Sequence, residues 1–150
     1  MRLPLLTLLA LLAAPLAGCD VLDSDFGEFT ASLSGDRERT LRGTAYYLDE
    51  GGAVVGLLPR GSDAGAELRV ALPRLARGTY GVGPEGEATV VFDPRFAEVA
   101  PEAAVFVGTS GTVTVTGFGD GEAEGRLSAV AEGPDGDSLY IEGTFRAVEL

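Results

Sequence analysis

The chain is 150 residues long, enough for one domain with a real core, and carries 23 carboxylates against 11 cations, a formal net charge of −12. Every cation is an arginine, and there is no histidine, no tryptophan and a single cysteine. An intrachain disulfide, Cys/His zinc coordination and histidine-dependent nucleophilic catalysis are thereby excluded, and the acid excess argues against nucleic acid, whose phosphates require a cationic face.

Residues 1–18 differ from everything after them. Arg2 is the only charge; Leu3 to Gly18 run apolar, interrupted by Thr7, Pro4 and Pro15. The stretch is shorter than the roughly 20 residues a spanning helix needs. It ends in small residues, Ala13-Ala14 and Ala17-Gly18. A basic start, an apolar stretch and a small-residue exit form the pattern of a secretory signal peptide, expected to be helical.

The tetrapeptide Leu16-Ala17-Gly18-Cys19 resembles a bacterial lipobox at all four positions, and Cys19 is the sole cysteine. The resemblance implies cleavage before Cys19, a diacylglyceryl thioether on its thiol and acylation of the new amine, as with palmitate. A thiolate attacks a lipid donor readily, whereas a serine hydroxyl does not. The competing reading, an ordinary buried thiol, is common for a lone cysteine. One acyl chain anchors marginally at ~0.8 kcal/mol per buried CH₂, but two or three hold a protein on a membrane. The mature chain is expected to be tethered to the bacterial cell envelope, not embedded in it.

Residues 19–27 read as a lipidated acidic tether and residues 28–150 as the folded domain. Asp20 resembles an inner-membrane retention signal, whereas Asp20, Asp23, Asp25 and Glu28 together resemble a surface-export leader. The balance leans towards the outer membrane or cell surface. Asp23-Ser24-Asp25 also opens like a calcium loop, but the bidentate glutamate expected at position twelve is replaced by Ser34. A hydrated tether accounts for these acids better, and no metal site or other cofactor is expected.

From Glu28 onward the hydropathy period is two. Strands are expected at Thr40 to Leu48, Ala66 to Leu72, Glu87 to Phe92, Ala103 to Val107, Gly111 to Phe118, Glu122 to Ala131 and Ser138 to Val148. In the last, Ile141, Gly143, Phe145 and Ala147 share one face, and Tyr140, Glu142, Thr144 and Arg146 the other. Pro94 to Val99 suit one helical turn. Turn signals separate the runs at Asp49-Glu50-Gly51-Gly52, Gly83-Pro84-Glu85-Gly86, Gly119-Asp120-Gly121 and Gly133-Pro134-Asp135-Gly136-Asp137. The expected fold is all-β: a single antiparallel β-sandwich or small β-barrel of about eight to ten strands.

Arg42-Gly43-Thr44-Ala45, Glu124-Gly125-Arg126-Leu127 and Glu142-Gly143-Thr144-Phe145 echo one another. A glycine recurring on an inward face predicts strong curvature or an aromatic ring over the gap, with Phe92, Phe106 and Phe145 as candidates. The order of Gly-Thr-rich strands, from Gly43-Thr44-Ala45-Tyr46-Tyr47-Leu48 through Gly78-Thr79-Tyr80 to Gly111–Thr116, is similar to that of small bacterial lipoproteins with one all-β domain of uncharacterised function. That resemblance implies a fold and a compartment and transfers no catalytic residue.

Glu122, Glu124 and Asp120 are the acids best placed for a carboxylate pair, as glycoside hydrolysis requires. Solubility and strand-edge protection explain them more simply, as they do Glu85, Glu87, Asp135 and Asp137. Ser110, in Gly108-Thr109-Ser110-Gly111, resembles a nucleophile turn but lacks a base and a following helix. Arg37, Arg39 and Arg42 form one cationic group; Arg69, Arg74 and Arg77, near Tyr80, form another that could grip an anion, although pairing with the surplus acids explains it more simply. The favoured function is a non-catalytic, lipid-anchored binding or structural module of the envelope, contacting an envelope protein or a small ligand. The alternatives are a lipocalin-like carrier of an apolar ligand, which needs an internal cavity of a few hundred Å³, and a carboxylate-based hydrolase.

Overall fold

A computed structural model describes residues 26–35, 38–94 and 105–150. The signal segment, Cys19, the acidic tether to Asp25, Arg37 and most of the expected Pro94–Val99 turn lie outside these residues. Among the described residues nine strands follow in chain order: β1 (Gly27–Ser34), β2 (Arg39–Asp49), β3 (Ala53–Pro59), β4 (Glu67–Leu72), β5 (Gly78–Gly81), β6 (Thr89–Asp93), β7 (Phe106–Gly119), β8 (Glu122–Glu132) and β9 (Ser138–Glu149). The only helical element among the described residues is a 3₁₀ turn at Gly61–Asp63.

Eight of the strands close into an up-and-down antiparallel barrel in the order β1-β2-β3-β4-β6-β7-β8-β9, with β9 returning to β1. The fold is therefore a barrel rather than a sandwich, and closure removes the open sheet edges that invite aggregation. The closing pair runs from Glu28 opposite Arg146 to Ser34 opposite Tyr140. Gly27, counted with the tether in the sequence, is the first residue of β1. Beyond it β2 and β9 meet directly, with Tyr46 beside Val148 and Tyr47 beside Glu149.

Strand β5 stands apart from this order. It pairs with the second half of β7, from Gly78 opposite Val115 to Gly81 opposite Thr112, while β6 pairs with the beginning of β7. Both run antiparallel to β7 along the same edge, so β5 and β6 act as one strand broken by an excursion at residues 82–88. A turn bond from the Gly86 N–H to the Gly83 carbonyl closes that excursion. Strand β7 is continuous where two strands were expected. Register shifts at Gly108/Ser110 and Val115/Gly117 bend it without ending it. Ser110 thus sits inside a strand and not on a nucleophile turn.

Alternation decides what fills the barrel. Along β9, Ile141, Phe145 and Ala147 are buried and Tyr140, Glu142, Thr144 and Arg146 exposed, as the period-two reading requires. Along β7, Val113 and Val115 point inward. Phe29, Leu41, Tyr47, Val55, Leu68, Val90 and Phe145, among others, form one contiguous apolar core. An eight-stranded barrel is narrow enough for side chains to fill it.

The inward glycines serve both expected purposes. A Cβ on Gly125 would strike the Phe145 ring lying across it, and one on Gly43 would strike the Leu58 carbonyl of the adjacent strand. Phe106 covers Gly133 in the β8–β9 turn and packs on Phe92 with ring centroids 6.4 Å apart. An outward case was not foreseen: Tyr46 lies over Gly56 of β3.

Candidate binding groove on the barrel wall

The outward positions of the strands come into register around the wall. Arg42 of β2 lies opposite Thr30 of β1, Thr30 opposite Thr144 of β9, and Thr144 opposite Arg126 of β8. Arg126 lies opposite Thr114 of β7, and Thr114 opposite Thr79 of β5. The Thr79 and Thr114 hydroxyls are 3.1 Å apart and bond to each other. Arg60, directly after β3, extends the row past Arg42: its backbone N–H donates to the Arg42 carbonyl at 2.9 Å. One belt therefore carries guanidinium groups at Arg60, Arg42 and Arg126 with threonine hydroxyls between and beyond them.

Three shallow grooves follow the belt. The largest, about 690 Å³, is bordered by Phe26, Glu28, Thr30, Arg42, Arg60 and Arg146. A second of about 530 Å³ has Thr116, Glu124, Arg126 and Thr144 on its walls, and a third of about 360 Å³ has Thr112, Thr114, Ser128 and Glu142. All three open outward, whereas the inward positions belong to the packed apolar core.

Electrostatics distinguish the first groove. Arg42 of β2 and Arg60, directly after β3, stand side by side on its border, with Glu28 on the same border. Arg146 enters from β9, opposite Glu28. It also faces Glu122 at 3.6 Å, a loose pair with both side chains half exposed, which contributes little. Guanidinium forks grip carboxylate or phosphate bidentately, and hydroxyls flanking them suit polyols. In a chain of net charge −12, three arginines around one groove form a local exception to the surrounding field.

The arginine groups read from sequence spacing are dispersed by the fold. Arg69 is held by Glu67 two residues away, at 2.7 and 3.2 Å, and Arg39 faces Asp63 at 3.2 Å. Arg74 and Arg77 sit in the β4–β5 turn, where the Tyr80 hydroxyl donates to the Ala76 carbonyl at 2.8 Å. Pairing with an acid, the simpler reading of the Arg69, Arg74 and Arg77 cluster, is what Arg69 shows, whereas Arg42, Arg60 and Arg146 border one groove. Sequence spacing could not reveal that groove, because Arg42 lies on β2, Arg146 on β9 and Arg60 directly after β3, brought together by the pairing of the strands.

Of the acids singled out, Asp120 and Gly121 form the two-residue β7–β8 turn, both with positive φ, at 54° and 77°. This is the hairpin geometry that favours Asp-Gly. Glu122 and Glu124 lie on outward positions of β8; Glu85 and Glu87 are in the β5–β6 excursion, and Asp135 and Asp137 in the β8–β9 turn. Asp23, Ser24 and Asp25 of the calcium reading, and Leu16, Ala17, Gly18 and Cys19 of the lipobox, fall outside the described residues. Among the described residues no cluster of three metal-ligating side chains occurs, and no helix is long and apolar enough to cross a membrane. Comparison with protein-family models, with curated proteins and with solved structures finds no match to the chain.

Proposed function

We propose that this protein is a lipid-anchored, non-catalytic binding module of the bacterial envelope, held through Cys19 and contacting its ligand through the barrel wall. The convergence of Arg42, Arg60 and Arg146 on one groove carries the binding half of this reading. The lipobox-like Leu16-Ala17-Gly18-Cys19 supports the anchoring half. The packed apolar interior favours the wall over an internal cavity as the contact surface, and so favours a wall binder over a carrier. The groove chemistry suits a ligand bearing carboxylate or phosphate groups together with hydroxyls, as an acidic sugar polymer does.

The test pairs two probes, an oligomer of galacturonic acid and a neutral glucose oligomer of the same length, titrated into the full chain at low salt. The acidic oligomer should bind more tightly than the neutral one, and Arg42→Ala and Arg146→Ala should each weaken it at least fivefold. Equal binding of both oligomers, no binding of either, or indifference to both substitutions overturns the groove as the contact surface. Separately, Cys19→Ser should move the protein out of the membrane fraction and abolish labelling with palmitate. An unchanged distribution with normal labelling overturns the anchor.

A further inference from the structure

We infer that the barrel end at which the tether enters rests on the lipid surface, inserting Phe26, Leu48, Phe118 and Leu150 at the headgroup boundary. This rests on the anchoring reading above. The four side chains are large, apolar and between 42 and 63 % exposed. They belong to one end: the start of β1, the finish of β2, the finish of β7 and the residue after β9. Tyr47 links three of them. It precedes Leu48, its ring meets that of Phe118 at 6.1 Å, and its carbonyl accepts the Leu150 N–H at 3.1 Å.

The chain between lipid and barrel identifies the occupant. Six residues, 20–25, separate Cys19 from Phe26. Fully extended, that link spans at most about 25 Å at ~3.5 Å per residue. Ser34, opposite Tyr140 near the far end, lies eight residues further along β1, roughly 26 Å at ~3.3 Å each, so only a tether stretched fully along the wall would bring that end to the bilayer. A lipid on Cys19 therefore holds the Phe26 end against the bilayer and keeps the far end, with Tyr140, in solvent. Exposed apolar side chains at an interface add to acyl anchoring through the area they bury. The same end carries Asp49, Glu50, Asp120, Glu122 and Glu149, with Arg74 and Arg77 in the neighbouring turn. The fitting surface is therefore zwitterionic, and anionic lipids oppose docking.

The absence of tryptophan makes a single introduced indole an unambiguous reporter. The lipidated full chain is reconstituted, after its mass is measured, into phosphatidylcholine vesicles containing brominated acyl chains. Leu48→Trp and, independently, Phe118→Trp should lose at least half their emission, while Tyr140→Trp at the far end keeps it. Replacing a third of the lipid with phosphatidylglycerol should reduce the quenching. A lipidated protein in which Leu48→Trp and Phe118→Trp are quenched no more than Tyr140→Trp overturns the docking and leaves the anchor standing. A mass without lipid overturns the anchor and the docking together.

Discussion

The ring of Tyr47 meets that of Phe118 edge-on, with centroids 6.1 Å apart and planes inclined at 68°. This contact joins β2 to β7 across the end of the barrel. The Tyr47 hydroxyl points to the Glu149 carboxylate at 3.4 Å. Edge-to-face pairs of this kind contribute about 0.5–1.5 kcal/mol beyond the area they bury.

Burial, then the negative charge of Glu149 and the hydrogen bond to it, with Asp49 adding a smaller effect, raises the Tyr47 phenol above its ordinary pKa. The folded state thus favours the neutral phenol. Its contribution to stability is complete below about pH 10, the ordinary tyrosine value, and is lost as pH climbs through the raised value. Denaturant unfolding between pH 9 and 12 should show the wild type losing stability more steeply than Tyr47→Phe. Parallel curves would contradict the assignment.

Phe145 and Gly125 form a matched pair. Gly125→Val should destabilise the barrel by about 1–3 kcal/mol through overpacking. Phe145→Ala should cost about 3–5 kcal/mol through the lost ring and its cavity. In the Gly125→Val, Phe145→Ala double variant the two losses should fall short of their sum, since the clash with the ring is gone while that with the Thr114 carbonyl persists. Chemical denaturation midpoints of the four proteins check this; strict additivity would contradict it.

That pair also shows how far the sequence reaches. The strict alternation of β8, β9 and the second half of β7 exposed both their existence and their inward faces, although the start of β7 reads as a separate strand, and Phe145 was legible as a ring over an inward glycine. Strand β3 was not, because Ala53-Val54-Val55-Gly56-Leu57-Leu58 is apolar without alternation, Tyr46 shielding Gly56 on the outer side. Strand β5 is four residues long, too short for a period, and β1 follows directly on an acidic leader that reads as tether. The groove was illegible for a different reason. Arg42 and Arg60 meet through the β2–β3 pairing, but Arg146 joins them only when β9 closes on β1, a non-local event without a spacing signature.

Arg69 and Glu67 provide a contrast with the groove. Their pair is well formed, but its members are substantially exposed, so Glu67→Gln should change stability by less than about 1 kcal/mol. It should leave titration by the galacturonate oligomer unaltered. A loss of binding equal to that of Arg42→Ala would return the ligand site to the β4 side of the barrel.

The wall itself should tolerate change. Arg42→Ala and Arg126→Ala remove outward guanidinium groups that have no carboxylate partner among the described residues, so each should shift stability by no more than about 0.5 kcal/mol. Thermal unfolding of each variant provides the check. A drop of several kcal/mol would mean that these arginines hold the barrel together and are not displayed for a ligand.

Intact mass spectrometry of the protein extracted from native envelopes tests the central claim most directly. The account predicts a chain beginning at Cys19, heavier than residues 19–150 by a diacylglyceryl group, with a further acyl chain where the amine is modified. A chain that still begins at Met1, or one that begins elsewhere with no added lipid, would contradict it.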